Sequence, residues 1–91
     1  MPTIRIKVLL FASARQAAGG ISQTEVELLS SEANTRQLRA KLAKQYPGLA
    51  TLAMDETNIT LALNEEYLQE GQVVDLKQGD TVALIPPISG G

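Results

Sequence analysis

The sequence has 91 residues, of which 44% are hydrophobic and 20% are charged, and these values are typical of one globular domain. They exclude a disordered chain, a fibrous protein and a second domain of ordinary size. The formal net charge of −2 at pH 7 also disfavours a partner with a phosphate backbone.

Two residue types are missing from the sequence, and this limits the chemistry of the chain. Without Cys there is no disulfide, no thiolate nucleophile and no cysteine metal site. Without His the chain lacks the usual general base, the Ser-His-Asp triad and the commonest transition-metal ligand. We therefore expect no bound metal.

No segment of the sequence predicts a membrane span or a secretion signal. The longest apolar run, residues 8–12, is far shorter than the roughly 20 residues that cross a bilayer. Residues 1–5 contain no uninterrupted apolar core of a signal peptide. We expect a soluble protein of the cytosol.

The first strand is predicted from alternation near the N-terminus. One set of alternate residues is entirely apolar: Ile4, Ile6, Val8 and Leu10. The residues between them are polar at first and apolar towards the end of the strand: Arg5, Lys7, Leu9 and Phe11. Period two predicts a strand with one buried face, and the apolar end of the other face should also be covered. Residues 12–18 are rich in Ala and predict a short helical turn, which Gly19 and Gly20 end. A second, antiparallel strand follows at residues 24–28.

The main helix is predicted to begin after Asn34, an N-cap residue with Gln37 three positions on. Its apolar stripe is Leu38, Leu42 and Tyr46, and the cations Arg39, Lys41 and Lys44 should face elsewhere. The pair Pro47 and Gly48 ends this helix. Residues 49–57 are either a loop or a second short helix.

The remaining elements are short. Ile59, Leu61 and Leu63 predict a third strand, residues 64–65 a turn, and residues 67–68 a short returning strand. Thr81–Ile85 is mostly apolar and predicts a central strand that is buried on both faces. The order β-β-α-β-(β)-β predicts an α+β fold, a β-grasp (ubiquitin-like) roll. Its four- to five-stranded mixed sheet would pack on one main helix.

The C-terminus divides the chain into a domain, residues 1–85, and a tail, residues 86–91. Proline cannot donate to a strand ladder, and consecutive prolines favour a stiff, extended chain. The last residues are Ser89, Gly90 and Gly91, which have little bulk and predict a flexible tip. We interpret the carboxylate of Gly91 as the reactive group. Because it is ionised and a poor electrophile, a partner that supplies ATP would have to activate it.

The alternative is that these glycines are only a frayed terminus or a cloning remnant. Against that alternative, a Gly-Gly tip has no side chain that would block a narrow channel in a partner.

Adjacent acidic pairs elsewhere, Asp55 with Glu56 and Glu65 with Glu66, are interpreted as solvated surface, because neighbouring side chains diverge on a strand. Asp80 beside Gly79 is interpreted as a turn residue.

Several motifs resemble the MoaD/ThiS family of ubiquitin-like sulfur carriers, and in particular its molybdopterin synthase small subunits. They span nearly the whole chain: residues 8–12 with Arg15, Leu38, residues 62–64 with residues 67–68, Gly79 with Asp80, and residues 85–91. The most specific of them is the last, in which Ile85 is followed by Pro-Pro-x-Ser-Gly-Gly.

The resemblance implies a non-catalytic subunit that carries sulfur on its C-terminus. An E1-like enzyme adenylates Gly91 with ATP and converts it to a thiocarboxylate, and this chain holds no stable cofactor. The tail then enters the large catalytic subunit through its last residues: Pro87, Ile88, Ser89, Gly90 and Gly91. Its sulfur builds the dithiolene of molybdopterin from a cyclic pyranopterin monophosphate. The family complex contains two small and two large subunits.

The remaining candidates concern partners. Phe11 and Arg15 could contact a partner; alternatively, Phe11 belongs to the core and Arg15 is a solvated cation on a short turn. The acceptor could also be different, because the same tail chemistry serves thiazole synthesis and tRNA thiolation. A third alternative is a ubiquitin-like modifier that forms isopeptide bonds. A fourth is a plain interaction module whose tail is inert.

Overall fold

The computed structural model describes residues 2–55, 59–69 and 71–86 of the chain. The strands are β1 (Thr3–Leu10), β2 (Gln23–Leu29), β3 (Thr60–Leu63), β4 (Glu66–Tyr67) and β5 (Thr81–Ile85). The α-helices are α1 (Ala12–Ala17), α2 (Thr35–Gln45) and α3 (Ala50–Ala53), and short 3-10 turns at Ser30–Glu32 and Pro47–Leu49 precede α2 and α3. Within these described ranges, no helix has the length and apolar character that crossing a membrane requires.

The strands form one five-stranded mixed sheet in the order β2-β1-β5-β3-β4. β1 pairs antiparallel with β2 from Thr3 opposite Leu29 to Leu9 opposite Gln23. β5 lies in the centre, parallel to β1 and antiparallel to β3, while β4 adds a short outer strand to β3. The predicted order of elements and the central position of β5 are confirmed.

The core lies between the sheet and α2, as the alternation predicts. Fully buried side chains from β1, β2 and β5 meet those of the helix: Ile6, Val8, Leu10, Val26, Val82 and Leu84 against Leu38 and Leu42. Each such side chain stabilises the fold by about 1.5–3 kcal/mol through burial. Because these residues occupy alternate strand positions, their neighbours are turned to the opposite face of the sheet.

The start of α2 confirms one prediction, and its interior corrects another. The Asn34 side chain accepts a hydrogen bond from the Gln37 amide at 2.9 Å, which is the predicted N-cap. Arg39, in contrast, is buried rather than outward, with only 8% of its surface exposed. Its guanidinium donates to the carbonyls of Ala53 at 2.9 Å and Ile59 at 3.4 Å. Carbonyl partners of this kind offset the desolvation that makes buried cations rare, and a helical pattern does not reveal them.

The segment after α2 resolves the alternative between a loop and a second short helix. The chain forms the 3-10 turn Pro47–Leu49 and then the short helix α3, while residues 56–58 lie outside the described residues. Gly48 permits this path, because a Cβ there would lie 2.7 Å from the carbonyl oxygen of Ala17. The turn can therefore approach the end of α1 closely only with glycine at this position.

Two burial predictions are wrong for the same reason. β5 is not fully buried on both faces, because Thr81, Ala83 and Ile85 remain half-buried. The end of β1 is not covered either, since Leu9 is half-buried and Phe11 is 48% exposed. The described helices pack on one face of the sheet, so the other face retains apolar side chains in contact with solvent.

Candidate functional site

The candidate site is built on this second face, where the register aligns residues from all five strands. One row contains Gln23, Leu9, Ala83, Ala62 and Tyr67, in the order of the strands across the sheet. Phe11 and Ile85 follow Leu9 and Ala83 by two positions and therefore share their face. We call the six hydrophobic members of this set the apolar face: Leu9, Phe11, Ala62, Tyr67, Ala83 and Ile85.

The apolar face contains a shallow depression of about 570 Å³. Its lining consists of the apolar face together with Asn64, Glu65 and Thr81. Tyr67 and Phe11 project most strongly, with exposed fractions of 73% and 48%. A contiguous apolar patch that carries exposed aromatic side chains and has polar residues at its border is typical of a protein-binding surface.

A charged region occupies the rest of the same sheet face. Arg5 lies opposite Glu27 and Lys7 opposite Glu25 in the β1–β2 register. The Arg5 Nε atom is 4.0 Å from Glu27 Oε2, and both side chains are largely exposed. The face is therefore divided along β1 into a charged half near the N-terminus and an apolar half near the end of the strand.

The apolar half adjoins the point where the tail leaves the sheet. β1 and β5 are parallel, so Leu10 and Leu84 lie at the same end of the sheet. β5 ends at Ile85, which belongs to the apolar face, and Pro86 is the last described residue and is buried. A protein bound on the apolar face would consequently lie close to Pro86, the first residue of the tail.

The residues that the sequence singled out have different outcomes. Phe11 directly follows β1 and is exposed, so the alternative that places it in the core is wrong. Arg15 is exposed in the last turn of α1, and its backbone nitrogen is 3.4 Å from the Phe11 carbonyl oxygen. The structure brings these two residues together at one end of the sheet. Five predicted tail residues, Pro87, Ile88, Ser89, Gly90 and Gly91, lie outside the described residues.

Sequence reasoning missed four members of the apolar face, namely Ala62, Tyr67, Ala83 and Ile85. The signal was present, because a single amphipathic helix can cover only one face of a five-stranded sheet. A central strand that is mostly apolar, with Ala83 and Ile85 on the face away from the helix, should therefore have predicted an uncovered apolar surface. The prediction that β5 is buried on both faces is incompatible with such a surface, so the surface was not predicted.

The β3–β4 turn at the border of the depression is held in place by a polar cluster. Asn64 Oδ1 accepts a hydrogen bond from the Thr81 amide at 2.9 Å, and Asn64 Nδ2 donates to Asp80 Oδ1 at 3.0 Å. The second carboxylate oxygen of Asp80 accepts from the Lys77 amide at 2.8 Å, as the turn interpretation of Asp80 predicts. These bonds fix the turn against the start of β5.

The described residues of the site form a surface for binding another protein. Within residues 2–55, 59–69 and 71–86, no three acidic side chains lie close enough together to hold a metal ion. The apolar face and its polar border can bind a complementary protein surface, and the reactive group predicted from the sequence is Gly91, at the end of the tail.

Comparison with known proteins extends these observations over the whole chain. The sequence model of the ThiS family matches residues 8–91. A Chlamydomonas reinhardtii protein described as a molybdopterin synthase sulfur carrier subunit is 40% identical over 97% of this chain and 100% of that protein. A human protein of the same description is 35% identical, over 100% of this chain and 99% of that protein.

Solved structures share the fold. The small archaeal modifier protein 1 from Methanosarcina acetivorans superposes with a TM-score of 0.77 at 26% identity, over 100% of both chains. In the complex of subunits 1 and 2 of the molybdopterin-converting factor from Helicobacter pylori, the matching chain gives a TM-score of 0.64 at 21% identity. That match covers 97% of this chain and 100% of that one. The predicted ubiquitin-like β-grasp fold is confirmed.

Proposed function

This chain belongs to the ThiS family, and from that premise we propose that it is the sulfur-carrier subunit of a molybdopterin synthase. The observation that carries the proposal is full-length similarity, at 40% and 35% identity, to two proteins described as such subunits. The apolar face supports it independently, because this surface lies where the tail begins.

In this proposal the reacting group is the C-terminal carboxylate of Gly91. An α-carboxyl group ordinarily has a pKa of about 3.5, so it is ionised at neutral pH and resists nucleophilic attack. An adenylating partner therefore transfers AMP from ATP to the carboxylate and releases pyrophosphate. Sulfur at the sulfide level then displaces AMP and leaves a thiocarboxylate. The thiocarboxylate sulfur replaces an oxygen substituent of the pterin precursor, and water cleaves the acyl–sulfur bond and restores the carboxylate of Gly91. The carrier needs no catalytic side chain of its own, and the large subunit supplies the catalytic groups.

The domain contributes binding energy that the tail lacks. Ordering the tail in a narrow channel costs roughly 1–2 kcal/mol per residue in backbone entropy. Docking of the apolar face on the large subunit offsets this cost at about 25 cal/mol for each Å² of apolar surface removed from water. Phe11 and Tyr67 are the largest exposed side chains of this face and would anchor the contact. The Helicobacter pylori neighbour, whose two subunits form a complex, is consistent with such a partner.

Mass spectrometry of the intact chain tests the proposal. The chain is incubated with the adenylating enzyme, ATP and a sulfur donor, and we expect a species in which sulfur has replaced one oxygen. A variant that lacks Gly91 should show no such species and should fold normally. If the untruncated chain keeps an unmodified carboxylate under these conditions, the proposal is wrong.

A second candidate function is protein modification, because one neighbour at 26% identity is described as a small archaeal modifier protein. A modifier would form isopeptide bonds between Gly91 and lysines of other proteins. Denaturing gels of cell extracts would then show conjugates that disappear when Gly91 is deleted.

A different sulfur acceptor is tested by purifying the proteins that bind the chain. Recovery of a thiazole synthase, in place of the large subunit, would identify such an acceptor.

A further inference from the structure

Glu65 has a backbone conformation that does not suit a glutamate. The β3–β4 hairpin turns through Asn64 and Glu65, which have positive φ angles of 50° and 74°. A hairpin turn with positive φ at both central residues strongly favours glycine at the second one, because left-handed backbone crowds the Cβ of other residues. Asn tolerates this conformation at the first position, whereas Glu at the second position is destabilising.

The position of this turn suggests why a glutamate is present. Glu65 lines the depression together with Tyr67, at its polar border. The bonds of Asn64 to Thr81 and Asp80 hold the turn against β5, so the backbone of Glu65 has a fixed place beside the depression. Among the described residues Glu65 forms no ion pair, and its side chain is exposed.

We propose that Glu65 is a specificity-determining residue of the docking surface, whose carboxylate pairs with an Arg or Lys side chain of the large subunit. This inference rests on the proposed function, because it requires a partner on the apolar face. The apolar residues supply most of the contact area, but they discriminate poorly between apolar partners. A carboxylate at their border strengthens binding of a partner that has a cation at the matching point. It weakens binding of a partner that has an anion there.

The adjacent Glu66 provides a matched control. It carries the same charge on the same hairpin, but it pairs with Leu63 and, as the neighbour of Tyr67 on β4, points to the opposite side of the sheet.

The dissociation constant and association rate are measured with the purified large subunit of the same organism, for Glu65→Gln, Glu65→Lys, Glu66→Gln and Glu66→Lys. We expect about twofold to fivefold weaker binding for Glu65→Gln, and about tenfold slower association at low salt for Glu65→Lys. Both Glu66 variants should stay within about twofold of the wild type.

A third substitution separates docking from folding. Glu65→Gly relieves the left-handed strain and should raise the melting temperature, yet it should weaken binding as much as Glu65→Gln does. A structural role for Glu65 alone would not produce opposite changes in stability and affinity.

The outcomes also distinguish this inference from the proposed function. If the Glu65 variants bind like the wild type while Phe11→Ala binds weakly, the role of Glu65 is wrong and docking through the apolar face stands. If the Glu66 variants weaken binding as much as the Glu65 variants, only overall charge matters and the inference is wrong. If Phe11→Ala also leaves binding unchanged, the proposed docking itself is wrong.

Discussion

The two faces of the sheet contain similar apolar side chains in opposite environments. On the helix-covered face, residues such as Val8, Leu10 and Leu84 are at most 1% exposed. On the other face, Phe11 and Tyr67 remain 48% and 73% exposed. Burial stabilises a fold in proportion to the apolar area removed from water, so the first group accounts for stability and the second contributes little. Stability therefore depends on the covered face, whereas the proposed docking depends on the open face, so substitutions should separate the two properties.

The sharpest test uses neighbours that point to opposite faces. Leu10→Ala should lower the free energy of unfolding by about 2–5 kcal/mol, because it removes a buried side chain and leaves a cavity. Phe11→Ala should change stability by less than about 1 kcal/mol, but should weaken binding of the large subunit by about tenfold or more. Urea denaturation and titration calorimetry measure the two quantities. Equal losses of stability for both variants would show that the distinction between the faces is false.

Alternation of apolar residues made the covered face predictable. Period two in β1 and the i, i+4 stripe of α2 identify Val8, Leu10, Leu38 and Leu42 as core residues without any knowledge of topology. The open face was not predicted correctly, because an apolar residue such as Ile85 gives the same signal whether a helix or a partner covers it. The position of Pro86, where the tail begins, relative to this face follows from the parallel pairing of β1 with β5, which is a long-range contact that no local pattern encodes.

The polar groups were harder to predict than the apolar ones. Asn34 was identified as an N-cap because its partner, Gln37, is close in sequence. The prediction for Arg39 is wrong because its partners, the carbonyls of Ala53 and Ile59, come from separate segments that follow α2, and a helical pattern does not reveal them. The cluster of Asn64 and Asp80 likewise joins separate turns, and the sequence identified Asp80 only as a turn residue.

Arg39 allows a test of whether the covered face relies on apolar contacts alone. Arg39→Met keeps much of the side-chain volume but removes the donors to two carbonyls, and unsatisfied buried acceptors destabilise a fold. We expect the free energy of unfolding to fall by about 2–3 kcal/mol, with unchanged affinity for the large subunit in the folded fraction. Arg36→Met, at an exposed position of the same helix, is the control and should be nearly neutral. A stability of Arg39→Met equal to that of the wild type would contradict this role.

The two tyrosines provide a smaller contrast, since one lies beside the core and the other on the open face. The Tyr46 hydroxyl is 2.6 Å from Thr24 Oγ1 and joins the end of α2 to β2. Tyr46→Phe should therefore lower the free energy of unfolding by about 1 kcal/mol, the typical net value of one hydrogen bond. Tyr67→Phe should leave stability unchanged, because this side chain is largely exposed. Thermal unfolding of both variants measures the difference, and a larger loss for Tyr67→Phe would reverse the assignment of the faces.

The smallest effect is expected in the charged half of the open face. The Arg5–Glu27 atoms are 4.0 Å apart, and the two side chains are 65% and 55% exposed, so solvent and salt screen their attraction. A double-mutant cycle of Arg5→Gln and Glu27→Gln should give a coupling energy below about 0.5 kcal/mol, which disappears at high salt. A coupling energy comparable to the Tyr46 bond would mean instead that the open face contributes to stability, and would weaken the separation of roles between the two faces.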